Sequence, residues 1–546
     1  MKIIKICFLL FCLIVLTADV SAQNQSKLPS KILLIPLDDR PPCLQFPVKM
    51  GLIADAEIVA PPAELLGKFT EAGKSDDIIN WLKRQDLKSF DAAIVSIDML
   101  AYGGLVAMRV HETDDRAAMK RLEFLRQMRR LAPKMKIYGS SVIMRLAPTG
   151  TGANESYREN LAKWAEISVD PNLKNETAAL ERKIPAEALA NYKAARVRDL
   201  KTNQAAINLV HEKTIDHLIL SQDDAKPKGV HVADRENLIA LTKKLKLTEK
   251  IAVQPGADEV SMLLLARVLS DKYNFHPKIK AVYSSAEAAE TVMPFEDRPL
   301  RQTVSFHIKA VGARETVDEK AADLLFYVYV SRFETGKAKN FADEIENKIN
   351  QNKQIIVADI DPKGDVQGGD ASFTAELERK NLLPRINSYA AWNTAGNTIG
   401  TTLPQGAIFA LSKAKLLRSD EAKTRILTAQ NWFTFHRVLD DYYFHTIVRA
   451  KAKAFIAQNK WNALRLSDEA TREVENYSLQ LLNENFKKLS SDYFDKNLAD
   501  STNLICDEPS DLSFDLPWNR TFEAAINFNL QCRLTDKNWK KINVET

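Results

Sequence analysis

The sequence predicts an α/β protein with a (β/α) barrel-like N-terminal domain, a second α/β unit and a mostly helical C-terminal region. Three observations carry that expectation. Short apolar runs rich in β-branched residues recur from residue 31, as suits strands buried on both faces of a parallel sheet. Amphipathic segments such as DDRAAMKRLEFLRQMRRLA (114–132) separate them, and strands alternating with helices build parallel sheets or barrels. From about residue 416 the strand runs stop, and helical text with aromatic clusters such as DDYYFHTIV (440–448) takes over.

Taken in order, the chain opens with MKIIKICFLLFCLIVLTADVSAQ. Lys2 and Lys5 precede an apolar stretch from Ile6 to Leu16, and the small side chains of Val20 and Ala22 prepare cleavage between Ala22 and Gln23. This is the pattern of a signal peptide over 1–22 and predicts a periplasmic or secreted protein. Lipidation at Cys12 fits less well, because Phe11 stands where a small residue is expected. No later stretch approaches the roughly 18–20 apolar residues of a spanning helix, so no integral membrane segment is expected in the mature chain.

The first strand set reads KILLIPL (31–37), AEIVA (56–60), AAIVSID (92–98), KIYGSSVIM (136–144), HLILSQ (217–222), IAVQP (251–255) and KAVYSS (280–285). These strands define a domain over about 30–300, interrupted by a charged helical insertion at about 150–212. After the PFEDRP turn (294–299) a second α/β set is expected over 301–415: TVSFHI (303–308), DLLFYVYV (323–330), QIIVADI (354–360) and RINSYAAW (385–392). Residues 416–546 form the helical remainder. A chain of 546 residues is too long for one ordinary core, which implies two or three domains.

Charge and composition exclude some functions. Lys and Arg number 76 against 71 Asp and Glu, a net charge of +5. There is no basic stripe with interleaved aromatics of the kind that follows a phosphate backbone, so nucleic acid is not an expected partner. Cys43, Cys506 and Cys532 are too few and too dispersed for a zinc cluster. In an oxidising compartment Cys506 and Cys532 either pair or remain two unrelated thiols, and Cys43 stays single. G-x-S-x-G is absent, and Ser221 has only His217 and His231 near it in sequence. G-x-G-x-x-G is also absent, so no cofactor is expected. Nothing in the sequence indicates an oligomeric state.

Polar residues gather at the C-terminal ends of the strands, where α/β proteins build their sites. The candidates are Asp38, Asp39 and Arg40 after the first strand, and Asp98 and Tyr102 after the third. Arg145 follows the fourth strand, Asp223 and Asp224 the fifth, and Asp258 and Glu259 the sixth, with Trp392, Asn393 and Asn397 in the second unit. Each taken alone reads as readily as a helix cap or a local ion pair. Five strand ends converging on one rim read better as a site for a hydroxyl-rich or charged ligand. In ADIDPKGDVQGGD (358–370), Asp359, Asp361, Asp365 and Asp370 suggest an oxygen-only cation site. With Gly364, Gly368 and Gly369 the same stretch reads more simply as a loop.

The segments IPLDDRPP, SIDMLAYGGLV, LSQDDA, PGADE and WNTAGN, with PWNRTFE at 517–523, resemble a bacterial family known as domain of unknown function 4127. That resemblance spans most of the mature chain and implies one integrated architecture, with no settled activity. The adjacent Asp223 and Asp224 also resemble the carboxylate pair of substrate-assisted retaining hexosaminidases. That likeness implies that Asp223 orients a 2-acetamido group while Asp224, its proton affinity raised by its neighbour, acts as general acid. On this reading Asp38, Asp39 and Arg40 hold sugar hydroxyls, Tyr102 or Asn393 binds the acetamido group and Trp392 stacks on the sugar. The expected function is therefore exported glycoside hydrolysis with a carbohydrate substrate. The alternatives are a divalent-metal-dependent phosphate or sulfate ester hydrolase and a non-catalytic glycan-binding protein.

Overall fold

The computed structural model describes residues 30–333, 336–361, 367–495 and 503–535. The expected signal peptide, Gly364 and Asp365 lie outside the described residues.

Eleven strands form two open, mostly parallel sheets. The first contains β1 (Ser30–Ile35), β2 (Ala56–Val59), β3 (Ala92–Ser96), β4 (Lys136–Ile143), β5 (His217–Gln222) and β6 (Ile251–Pro255), in the order β2-β1-β3-β4-β5-β6. The second contains β7 (Lys278–Tyr283), β8 (Arg314–Glu315), β9 (Leu324–Val330), β10 (Gln354–Ile360) and β11 (Ser388–Ala390), in the order β11-β10-β9-β7-β8. The expected barrel is therefore replaced by an open sheet. A (β/α) barrel closes on eight parallel strands, but β2 and β6 remain edges, and β7 pairs with β9 of the second sheet. KAVYSS, read with the first set, thus belongs to the second sheet.

The strands form because their apolar residues serve two cores at once. In β1, Leu33 and Ile35 face one buried cluster, and Ile32 and Leu34 face the other, so successive side chains are both buried. The helix Val260–Tyr273 lies in the second of these clusters. Its buried residues include Met262, Leu263, Leu264 and Leu265, apolar all round as an internal helix must be. It packs against the helix Ala395–Lys415 and also against the first sheet.

TVSFHI, expected as a strand, lies inside the helix Leu300–Ala310. Leu300, Thr303, Val304, His307 and Ile308 are buried, a three-and-four spacing that outweighs the β-branched composition. The insertion is helical: Glu155–Ile167, Lys174–Glu181 and Ala186–His211. The C-terminal region holds the helix Asp420–Arg437, which continues as a π-helix over Val438–Val448, and the helix Asp468–Ser490. It also contains strands that the helical expectation missed. β12 (Leu504–Cys506) pairs antiparallel with β15 (Cys532–Leu534), and β13 (Ser510–Asp515) with β14 (Ala525–Asn529). Cys506 and Cys532 form a disulfide, and Cys43 is a buried free thiol.

In the first sheet the strand order reverses between β1 and β3. Such a switch point opens a crevice at the carboxyl ends of the strands, where open α/β sheets bind ligands. Asp38 and Asp39 emerge there.

Candidate functional site: a carboxylate and arginine seam

Arg40 organises the switch point. Asp38 Oδ1 accepts the backbone N–H of Arg40 at 3.1 Å, an Asx-type turn that fixes the chain just past β1. The same carboxylate accepts from Arg40 Nε at 3.0 Å and from Nη2 at 2.7 Å. Arg40 Nη2 and Nη1 also grip Asp258 at 2.6 and 3.0 Å, and Nη1 reaches Glu523 at 2.9 Å. One buried guanidinium thus serves three buried carboxylates, a local excess of negative charge that is costly away from water. Burial pushes Asp258 up to about 7, against the pull of Arg40. Burial acts on Glu523 in the same direction, but Arg520 and Arg40 outweigh it and hold that group below its ordinary value.

The segment Leu516–Glu523 closes over this centre. The Trp518 ring lies 4.3 Å from the Arg40 guanidinium and 4.7 Å from that of Arg520, a geometry that favours cations. Its indole N–H donates to Asp39 Oδ1 at 2.7 Å. Asp39 is half-buried and is pushed up to about 6, chiefly by burial, with the Trp518 hydrogen bond opposing.

The seam continues through Asp223 and Asp224. Each acid has its own arginine: Arg109 Nη2 meets Asp223 at 2.5 Å, and Arg145 pairs with Asp224. Burial, followed by repulsion from Arg145, pulls Arg109 down to about 10. Arg145 also lies in the field of Asp258, which ties this branch to Arg40. Asp224 has φ of 39°, a left-handed conformation that a non-glycine residue holds only where its surroundings enforce it. The adjacent carboxylates thus each face a guanidinium, Asp223 that of Arg109 and Asp224 that of Arg145.

Asp98 is fully buried. Its Oδ2 accepts from Val142 N at 2.9 Å, and Asp199 Oδ2, also buried, accepts from Met144 N at 3.3 Å. Side by side, the two acids satisfy backbone donors at the end of β4. Burial pushes Asp98 up to about 7, while burial and then Asp98 drive Asp199 well above its ordinary value. Tyr102 faces the insertion: its hydroxyl lies 2.5 Å from Thr202 Oγ1, and the Arg198 guanidinium sits 4.0 Å from its ring. With 2 % of its surface exposed, it packs the core and does not line the rim.

Glu259 also turns inward. Its Oε2 accepts from Ala257 N at 3.1 Å, and Oε1 lies 3.5 Å from His307 Nε2. Gly256, at φ 109°, and Gly400 make room for it, since added β-carbons would stand 1.6 and 2.1 Å from its side-chain atoms. Nearby, Glu296 Oε1 accepts from Gly396 N at 2.9 Å and is pushed up to about 8 by burial. Three sequence motifs therefore meet inside the fold. Trp392 is buried here, donating to Thr401 Oγ1 at 2.9 Å with its ring edge-on to Phe46, so it offers no face to a sugar. Asn397 is buried at the start of the Ala395–Lys415 helix, and Asn393 is half-buried with φ of 56°.

Sequence reasoning missed several members. Glu523, Trp518 and Arg520 lay in a noted motif but had no role, and Arg109 and Asp199 carried no strand-end signal. Arg437, in the last helical turn before the π-helix, binds Asp440 and Asp441 at 2.7 and 2.8 Å and lies 3.8 Å from the Phe46 ring. Only the doubled Asp of DDYYFH marked that cluster. In the suggested cation loop, Asp359 Oδ2 accepts from Asp370 N, Asp370 caps the helix Ala371–Arg379 and Asp361 pairs with Arg332. Among the described residues no three His, Cys, Asp or Glu form a metal-binding group.

No curated protein and no solved structure matches the chain. The family model of the protein of unknown function DUF4127 matches residues 32–527, and the chain belongs to that family.

Proposed function

We propose that this protein is an exported glycoside hydrolase acting at the carboxyl ends of β1, β3, β5 and β6. The observation that carries the reading is Asp39: a half-buried carboxyl near pH 6 at the switch point, held by an indole N–H and flanked by arginine-paired acids. A carboxyl raised in this way can protonate a glycosidic oxygen near neutrality. Asp39 takes the donor role that the sequence reading gave to Asp224. Asp224, ion-paired with Arg145 and with a third of its side chain exposed, supplies the opposing negative charge for an oxocarbenium-like transition state. Asp223, fixed by Arg109, positions that charge. A hydroxyl-rich sugar suits the seam because it can exchange hydrogen bonds with paired acids and arginines. The Cys506–Cys532 disulfide supports an oxidising compartment outside the cytoplasm.

The test is a panel of chromogenic glycosides, N-acetylhexosaminides included, with phosphate and sulfate esters beside them, each with and without EDTA. EDTA-insensitive glycoside cleavage is the expected result. Ester cleavage removed by EDTA, or glycan binding without turnover, would replace this reading with one of the two alternatives.

A further inference from the structure

A cleft of about 580 Å³ has no seam residue in its lining and falls within the usual size range of small-molecule sites. Trp432 and Phe528 line it, their rings stacked with centroids 4.9 Å apart, together with Leu52 and Leu530. Leu52 is 46 % exposed, an apolar side chain left open in the lining. Two cations line the cleft. Arg425 is engaged, its Nε and Nη2 reaching Asp55 at 2.9 and 2.7 Å. Lys49 is not: its ammonium lies 4.4 Å from the Trp432 ring centroid, and no carboxylate pairs with it among the described residues. Burial lowers its proton affinity, the expected result of desolvating an ammonium with no anion beside it. The ring face offsets part of that cost, and an anion would offset more.

We propose that this cleft binds a small amphipathic anion, its charged head on Lys49 and its apolar tail along Trp432, Phe528 and Leu52. The head can be a carboxylate or a phosphate, since Lys49 presents a point charge with no geometric fork to choose between them. The site is independent of the seam, whose residues do not line it.

Titration calorimetry of the full mature chain with octanoate, octyl phosphate and neutral octyl glucoside tests the assignment. The expected result is saturable one-to-one binding of at least one anion, at least tenfold tighter than octyl glucoside. The tighter anion identifies the head group. Lys49→Met should weaken it at least tenfold with little change in the thermal midpoint. Leu52→Glu, at an exposed position, places a charge along the path of the apolar tail and should do the same, so the test survives a misfolded Lys49 variant. Equal binding of the neutral amphiphile, no saturable binding, or unchanged affinity in Leu52→Glu would overturn the proposal.

Discussion

The Trp518 indole donates to Asp39 Oδ1 at 2.7 Å, joining residues 479 positions apart in sequence. Burial raises the proton affinity of Asp39, and the bond opposes it by stabilising the ionised carboxylate. If Asp39 must be protonated to act, activity falls as pH rises through about 6. Trp518→Phe removes the hydrogen bond that lowers the pKa, so the falling limb of the kcat/KM profile should move to higher pH. A profile recorded on both proteins checks the direction.

Arg40 is the only cation bonded to Asp38 and Asp258 among the described residues. Arg40→Met leaves buried carboxylates uncompensated, and breaking a buried pair from one side costs about 3–5 kcal/mol. Chemical denaturation at pH 7 should show a loss of that order, shrinking at lower pH as the acids take up protons. Arg40→Lys should recover little, since one ammonium cannot replace a fork that holds three partners.

The Asp98 and Asp199 pair makes stability fall with rising pH. Asp98 ionises near its ordinary value of 3.8 when unfolded but only at about 7 when folded. Between those values the folded state holds the extra proton, so stability declines as pH rises through the window, with a slope of about 1.4 kcal/mol per pH unit for one proton. Asp98→Asn keeps the carbonyl that accepts from Val142 and removes the ionisation. Its stability relative to the parent should therefore improve from pH 5 to pH 8, as read from urea midpoints.

The Cys506–Cys532 disulfide brackets the segment that carries Trp518 and Glu523. Replacing both cysteines with serine should cost about 3.5 kcal/mol, from the loop-closure entropy of a 26-residue separation. Because that segment covers Arg40, the loss should appear first as proteolytic cleavage between 507 and 531. Limited digestion with and without reductant measures it.

Much of this arrangement was legible in the strands and little of it in the acids. LILSQDD and ILLIPLDD each place an apolar run directly before charge, so both the strand and its polar end could be read. TVSFHI could not, because a β-branched run on a buried helix face resembles a strand over six residues. Barrel and open sheet share the same βα rhythm, and the open edges β2 and β6, with the pairing of β7 to β9, separate them. Trp392, Tyr102 and Glu259 looked available because a sequence does not record which way a strand-end side chain turns. Arg109 and Glu523 were unreadable as partners for a different reason: the ion pairs they complete span 114 and 483 residues.

Asp39 carries the proposed chemistry. Purified parent and Asp39→Asn proteins should be compared for kcat/KM on whichever glycoside the panel identifies, together with their thermal midpoints. Loss of a general acid costs typically 10²–10⁴-fold in rate, and the expected result is a loss in that range with the midpoint within a few degrees of the parent. An Asp39→Asn protein that cleaves glycoside at the parent rate would contradict the assignment and return the chemistry to Asp223 and Asp224.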